Sequence, residues 1–244
     1  MADLKKIEQI NITPELEKAI LLKEKDAVNL FEKLKLSYKK ICFASSMGAE
    51  DMVIYYILNE YNFEFKIFTL DTGRLPPETY DLIASVNSKF RKKIEIFFPD
   101  SSQVKTYVDA KGINDFYNSL ESRKECCKIR KIEPLKKALN GHDAWITGLR
   151  SEQSITRIDN KLIEKDTAFN IDKISPLINW SENEIWAYIK MHNIPYNTLH
   201  DQFYPSIGCA PCTRPISIGE DVRAGRWWWE NAENKECGLH KKES

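Results

Sequence analysis

Two spacings of apolar residues alternate along this chain. Short apolar runs recur between longer stretches in which apolar side chains return every three or four positions, a succession that predicts strands separated by helices. "PELEKAILLKEKDAVNLFEKLKLS" (residues 14–37) has the helical spacing and predicts one or two amphipathic helices. "KKICFAS" (39–45) is an apolar run ending in small residues, a buried strand, and "AEDMVIYYILNEY" (49–61) is the next helix. Strand "FKIFTL" (65–70), helix "LPPETYDLIASVNSKF" (75–90) with prolines in its first turn, and strand "KIEIFF" (93–98) follow. "SSQVKTYVDAKG" (101–112) opens on serines that predict a helix cap. "CKIRKIEPLKKALNG" (127–141) predicts a helix interrupted or bent near Pro134 and ended by Gly141. "DAWITG" (143–148) and "IDKISPL" (171–177) predict a fourth and a fifth strand, and Ser181 with Glu184 predicts a capping box opening helix 181–193.

This alternation points to an α/β fold with a mostly parallel sheet and helices on both faces. The last forty or so residues lose it, so the reading is one α/β domain over 1–202 and an appended segment over 203–244. In such sheets ligands bind beyond the carboxyl ends of the strands.

Composition narrows the classes. The 244 residues carry 36 Lys+Arg and 36 Asp+Glu, a formal net charge of zero that gives no global reason for nucleic acid or a membrane surface as partner. An anion site would have to come from local clusters of arginine and lysine. The N-terminus lacks an apolar signal region and no 18-residue apolar stretch occurs, so the expected location is the cytoplasm. There the six cysteines are better read as metal or redox groups than as disulfides.

Three strand ends carry candidate chemistry. "ASSMGAED" (44–51) has small residues for a sharp turn, successive N–H groups and a following helix N-terminus, which together suit a phosphate or sulfate. "LDTGRLPPET" (70–79) adds Asp71, Thr72 and Arg74, and "TGLRSEQSITR" (147–157) adds Arg150 and Arg157. One anionic, nucleotide-like ligand accounts for all three.

The cysteines divide into three groups. Cys42 lies within a strand and reads as a buried structural thiol. Cys126–Cys127 and Cys209-x-x-Cys212 form two close pairs that suit an iron–sulfur cluster, a zinc ion or a redox dithiol. Adjacent cysteines diverge from a single tetrahedral ion but can each reach a separate iron of a cubane, which favours [4Fe–4S]. Cys237, among Lys235, His240 and Lys241, is left over; nearby positive charge favours its thiolate and makes it a candidate nucleophile.

Over residues 38–241 the motifs "SSMGAED", "LDTGRLPPET", "ECCKIRK", "GLRSEQSITR", "GCAPCTRP", "RAGRWWWE" and "KECGLH" stand in order. In these the chain resembles the assimilatory adenylylsulfate (APS) reductases, relatives of the phosphoadenylylsulfate (PAPS) reductases. The resemblance implies an adenine-nucleotide α-hydrolase-like fold related to PP-loop enzymes, with a C-terminal catalytic tail. It also implies reduction of an adenylated sulfate to sulfite and AMP with electrons from thioredoxin. It makes Cys126, Cys127, Cys209 and Cys212 the ligands of a [4Fe–4S] cluster and Cys237 the nucleophile, which carries the sulfo group as an intermediate. Ser45, Ser46, Gly48 and Glu50 would line the nucleotide site, Leu70, Asp71 and Gly73 would approach the adenosine, and Gly148, Leu149, Arg150 and Arg157 would act from the fourth strand end. Lys131, Arg223, Arg226 and His240 would gather round the phosphosulfate. A homo-oligomer is expected on the same ground.

The cluster cysteines favour APS over PAPS, although cluster-bearing relatives that accept both keep the PAPS alternative open. A PP-loop ATP pyrophosphatase is a further alternative, against which "SSMGAED" stands in place of S-G-G-x-D-S. A non-catalytic cluster-binding module would leave Cys237 without a task. Within "RWWW" (226–229) the indoles read either as an anchor for the tail or as part of a lid.

Overall fold

The computed structural model describes residues 5–153 and 161–231. Six strands form one sheet in the order β3-β2-β1-β4-β6-β5: β1 (Ile41–Ala44), β2 (Lys66–Leu70), β3 (Glu95–Phe97), β4 (Ala144–Ile146), β5 (Ile163–Asp166) and β6 (Ile171–Ile174). All neighbours run parallel except β5, an edge strand antiparallel to β6. Strand β5 is absent from the hydropathy pattern because its residues, Ile-Glu-Lys-Asp, are mostly charged. An edge strand pairs along one side only and does not need the apolar content of a central one.

The helices are α1 (Pro14–Ser37), α2 (Ala49–Glu60), α3 (Pro77–Lys89), α4 (Ser101–Lys111), α5 (Leu120–Cys127), α6 (Glu133–Leu139) and α7 (Glu182–Met191). They cover both faces of the sheet, and the period-two rule assigns side chains to each. Ile41, Phe43, Ile67, Ala144 and Ile146 pack with residues of α1, α2, α3 and α7. The intervening Cys42, Phe68 and Trp145 pack against Leu135, Ala138 and Leu139 of α6. Cys42 is therefore a core thiol, fully buried, and burial pushes its pKa up to about 12.

Caps set several helix starts. Thr13 accepts from the Leu16 N–H ahead of α1, and Ser181 and Glu184 form the expected capping box at α7. At α4 the cap is Asp100, which accepts from the N–H groups of Ser102 and Gln103; the serines stand one position inside. Helix α5 begins at Leu120, seven residues before the expected start, because Ser119 caps it through the Ser122 N–H. The helical run then continues as a π turn, Lys128–Ile132, before α6. The interruption expected near Pro134 takes the form of that turn. Its wider bonding, closed by Glu133 N–H to Lys128 O, absorbs the break ahead of a residue that has no N–H.

Strand order creates the crevice. From β1 the chain steps outward through β2 to β3, then returns to the other side of β1 as β4. The loops after β1 and β4 therefore diverge, and a ligand fits between them.

Candidate active site

A cavity of about 730 Å³ opens at this divergence. Ser45, Ser46, Gly48 and Glu50 line it from the first strand end, Leu70 from the second, and Gly148, Leu149 and Arg150 from the fourth. Met47 takes φ +63°, which turns the chain sharply into α2, whose N-cap is Gly48. Just beyond the cap stands Asp51, a residue the motif reading passed over. Its Oδ2 accepts from both the N–H and the hydroxyl of Ser46 at 2.6 Å. A Cβ at position 148 would sit 2.2 Å from Asp51 Oδ1, so only glycine lets the β4 loop approach. Burial pushes the Asp51 carboxyl up to about 6, against the pull of the Ser46 hydroxyl and N–H and of the Gly148 N–H. Glu50 is tied in the same way, with Arg150 Nε donating to its Oε1 at 2.8 Å while Arg150 Nη1 reaches the carbonyl of Trp180.

The second strand end faces two ways. Leu70 and Thr72 line the cavity, whereas Asp71 and Gly73 are absent from its lining. Asp71 accepts from the Gly73 N–H at 2.7 Å and from the Tyr80 hydroxyl at 2.8 Å, closing a turn in which Gly73 has φ +70°. Arg74, read from the sequence as an anion partner, points to the other side. It donates to Ile113 O and Asn114 Oδ1 and lies over the Phe116 ring at 4.8 Å.

There a second, smaller cavity is lined by Cys126, Cys127, Cys209 and Cys212, together with Arg74, Arg123, Arg130, Lys131 and Trp227. Helix α5 delivers Cys126 and Cys127 at its end, immediately before the π turn. Cys209 and Cys212 flank the turn Ala210–Cys212, which is fastened to the second strand end by Ala210 N–H to Arg74 O at 2.8 Å. Thr72 Oγ1 lies 3.2 Å from Cys209 Sγ, and Arg130 Nη1 donates to Thr72 O at 2.7 Å. Burial opposes ionisation of Cys209, but Lys131, the Thr72 hydroxyl, Arg226 and Arg130 outweigh it and hold its pKa below that of an ordinary thiol. Burial, then the neighbouring Cys209, pushes Cys212 up to about 12, and burial also raises Cys126.

Among the described residues no group of three or more His, Cys, Asp or Glu side chains stands close enough together to hold a metal ion. The four cysteines are instead distributed round one cavity, in cationic surroundings that suit the negative charge of a thiolate-bound cluster. The Trp227 indole N–H, in the same wall, is buried without a partner among the described residues, a donor of the kind that hydrogen-bonds cluster sulfur. These features fit [4Fe–4S].

Lys131 and Cys209 line both cavities, so the two share a wall. Arg223 and Arg226 reach the large cavity from the C-terminal segment. Trp227 is buried, Trp229 packs on Phe116 and Tyr117, and Trp228 is partly exposed. The first and third indoles thus pack into the domain. Arg157, Cys237 and His240 lie outside the described residues. The sequence reading also passed over Thr72 as a cysteine partner, His200 and Lys6 in the cavity wall, and Gly208 beneath Arg226. For Gly208 the "SIGC" glycine was the available signal; for Lys6 and His200 there was none, since only folding brings them to the cavity.

A mostly parallel α/β sheet with a cavity where the strand order reverses, its wall carrying a serine–glycine turn, is the arrangement in which enzymes of this architecture bind their ligands. The chain shares this fold with the PAPS reductase of Candida auris (TM-score 0.69, 24% identity, 84% of this chain and 99% of that one). Yeast FAD synthetase has it as well (TM-score 0.53, 15% identity, 86% and 71%). Residues 40–215 match the model of the phosphoadenosine phosphosulfate reductase domain. An adenosine 5'-phosphosulfate reductase of Allochromatium vinosum is 52% identical over 221 residues, 91% of this chain and 86% of the relative. That of Burkholderia cepacia is 47% identical over 229 residues, 94% and 90%. The chain belongs to the phosphoadenosine phosphosulfate reductase family.

Proposed function

We propose that this protein reduces adenosine 5'-phosphosulfate to sulfite and AMP. The observation that carries the reading is the shared wall: Lys131 and Cys209 belong at once to the nucleotide-sized cavity and to the cysteine centre. Relatives of about half identity that bear the name of this activity support it.

The chemistry follows from charge. The sulfonate end of the substrate is anionic and repels an approaching thiolate. Glu50 and Asp51 are both engaged within the loops, so Lys131, Arg223 and Arg226 are the groups placed to offset that charge. In the proposed route the Cys237 thiolate attacks the sulfur, the S–O bond to the phosphate breaks, AMP leaves, and a cysteine S-sulfonate remains. One thiolate of a reduced dithiol protein, thioredoxin in this proposal, then attacks the Cys237 sulfur and expels sulfite. Its second thiolate regenerates Cys237 and closes the donor's disulfide, which balances the two electrons. Arg157 and His240 are assigned to the substrate with the same tail. A [4Fe–4S] cluster on Cys126, Cys127, Cys209 and Cys212 would supply a fixed charge and an anchor beside the substrate, since the route needs no net electron change there. No helix among the described residues is long and apolar enough to cross a membrane. On the resemblance to the reductases we assign the protein to the cytoplasm as a homo-oligomer.

The alternative is PAPS, alone or beside APS, which the name of the family supports. Comparison of kcat/KM for APS and PAPS, with reduced thioredoxin and anaerobically purified enzyme, tests the assignment. A strong preference for APS is expected, and a preference for PAPS would reverse it.

A further inference from the structure

Between the two cavities lies an arrangement that neither explains alone. Trp227 is buried with φ +42°, a left-handed conformation that a bulky residue adopts only where its surroundings hold it there. Two guanidinium groups lie over its ring, Arg226 at 4.6 Å and Arg123 at 4.5 Å from the centroid. Arg123 stands three residues before Cys126 on α5 and forms a buried ion pair with Glu230 at 2.6 Å, the side chains 4% and 7% exposed.

Arg226 is held on its remaining sides too. Its Nη1 donates to Ser206 Oγ at 3.2 Å and to Ile207 O at 3.3 Å. It lies so close to Gly208 that a Cβ there would come within 2.5 Å of Nη2 and 2.7 Å of Cζ. Its Nε is buried without a partner among the described residues, although Arg226 lines the large cavity. A guanidinium fixed by its face and one Nη keeps another donor edge for an oxyanion.

We propose that Trp227 is the positioning residue for Arg226. Its ring presents the Nε edge of the guanidinium to a phosphate or sulfate oxygen of the nucleotide, and Arg123 with Glu230 keys that ring to the helix bearing Cys126 and Cys127. The inference rests on the reading of the large cavity as a sulfonucleotide site. Stacking over an indole is strongest where water is excluded, and an aliphatic side chain would leave Arg226 to its Nη1 contacts alone.

The test is a titration of APS by calorimetry into cluster-loaded protein carrying Cys237→Ser, in which the nucleotide binds without reacting. Iron content and circular dichroism are measured for each variant. Trp227→Leu is expected to weaken binding about tenfold, and Trp227→Phe, which keeps a ring face, about two- to threefold. In an Arg226→Ala background Trp227→Leu should cost less than about twofold more, because it acts through the missing guanidinium. Gly208→Ala leaves Trp227 in place but displaces Arg226, and should weaken binding about fivefold. Unchanged affinity in Trp227→Leu, or the same loss with and without Arg226, overturns the inference. Should Trp227→Leu lose its iron or its fold, Trp227→Phe with and without Arg226→Ala decides, and unchanged affinity, or the same loss in both backgrounds, is equally fatal. If the Cys237→Ser protein binds no APS at all, the functional reading fails and this inference with it; binding with an indifferent Trp227 sinks the inference alone.

Discussion

At the ends of β1 and β4 the charged side chains find charged or polar partners within the loops: Asp51 takes the Ser46 donors, and Glu50 takes Arg150. Round the cysteines the cations behave differently. Arg74 and Arg130 donate to carbonyl oxygens, which satisfy their geometry without cancelling their charge, so positive potential remains beside the sulfurs. One region is electrically closed, while the other is a reservoir of positive charge. The difference teaches that strand-end glycines and serines shape the nucleotide cavity but do not by themselves supply its attraction for an anion. That attraction enters from the side, through Lys131 and the C-terminal arginines.

The sharpest test of this division removes the chemistry and leaves both regions standing. Cys237→Ser should lower sulfite formation about a thousandfold or more, with iron content and visible absorbance unchanged. Loss of the absorbance along with activity would make Cys237 part of the cysteine centre instead. Lys131→Ala strikes the shared wall, and a fall in kcat/KM on the order of a hundredfold with retained absorbance is expected. Undiminished activity would show that no charge crosses that wall.

Glu230→Gln tests the buried pair in which the cysteine side does neutralise a cation with a carboxylate. Leaving Arg123 buried against an amide should cost roughly 3–5 kcal/mol of stability, read from the urea midpoint. A cost below about 1 kcal/mol would class the pair with surface ion pairs. The smallest effect concerns the closed region. Asp51 has its folded-state pKa raised by burial to about 6, above its value in the unfolded chain. Between roughly pH 4 and 6 the folded protein therefore holds a proton that the unfolded one has lost, and stability should fall as pH rises through that window. Asp51→Asn should flatten this part of the pH profile of the melting temperature; an unchanged slope would assign it to other groups.

Much of the fold was legible along the chain because central parallel strands must be apolar and surface helices amphipathic. β1 to β4, β6 and the helices α1, α2, α3 and α7 all stand close to where their spacing placed them. Strand β5 was not, since an edge pairing makes little demand on composition, and the start of α5 was missed because Ser119 caps it from within a polar stretch.

The site divides along the same line. Local sequence determined what local geometry requires: a glycine and small residues at a tight turn, and cysteines paired closely enough to share one centre. Asp51 bridging to Gly148, Thr72 meeting Cys209, and Arg123 and Arg226 meeting over Trp227 are contacts between segments as much as 137 residues apart. A side chain's partner across such a distance is set by sheet order and helix packing, which only the folded chain as a whole decides. The sequence alone named the sulfur ligands and the reactive cysteine as candidates. The tertiary structure decided that the four cysteines line one cavity and that this cavity shares a wall with the larger one.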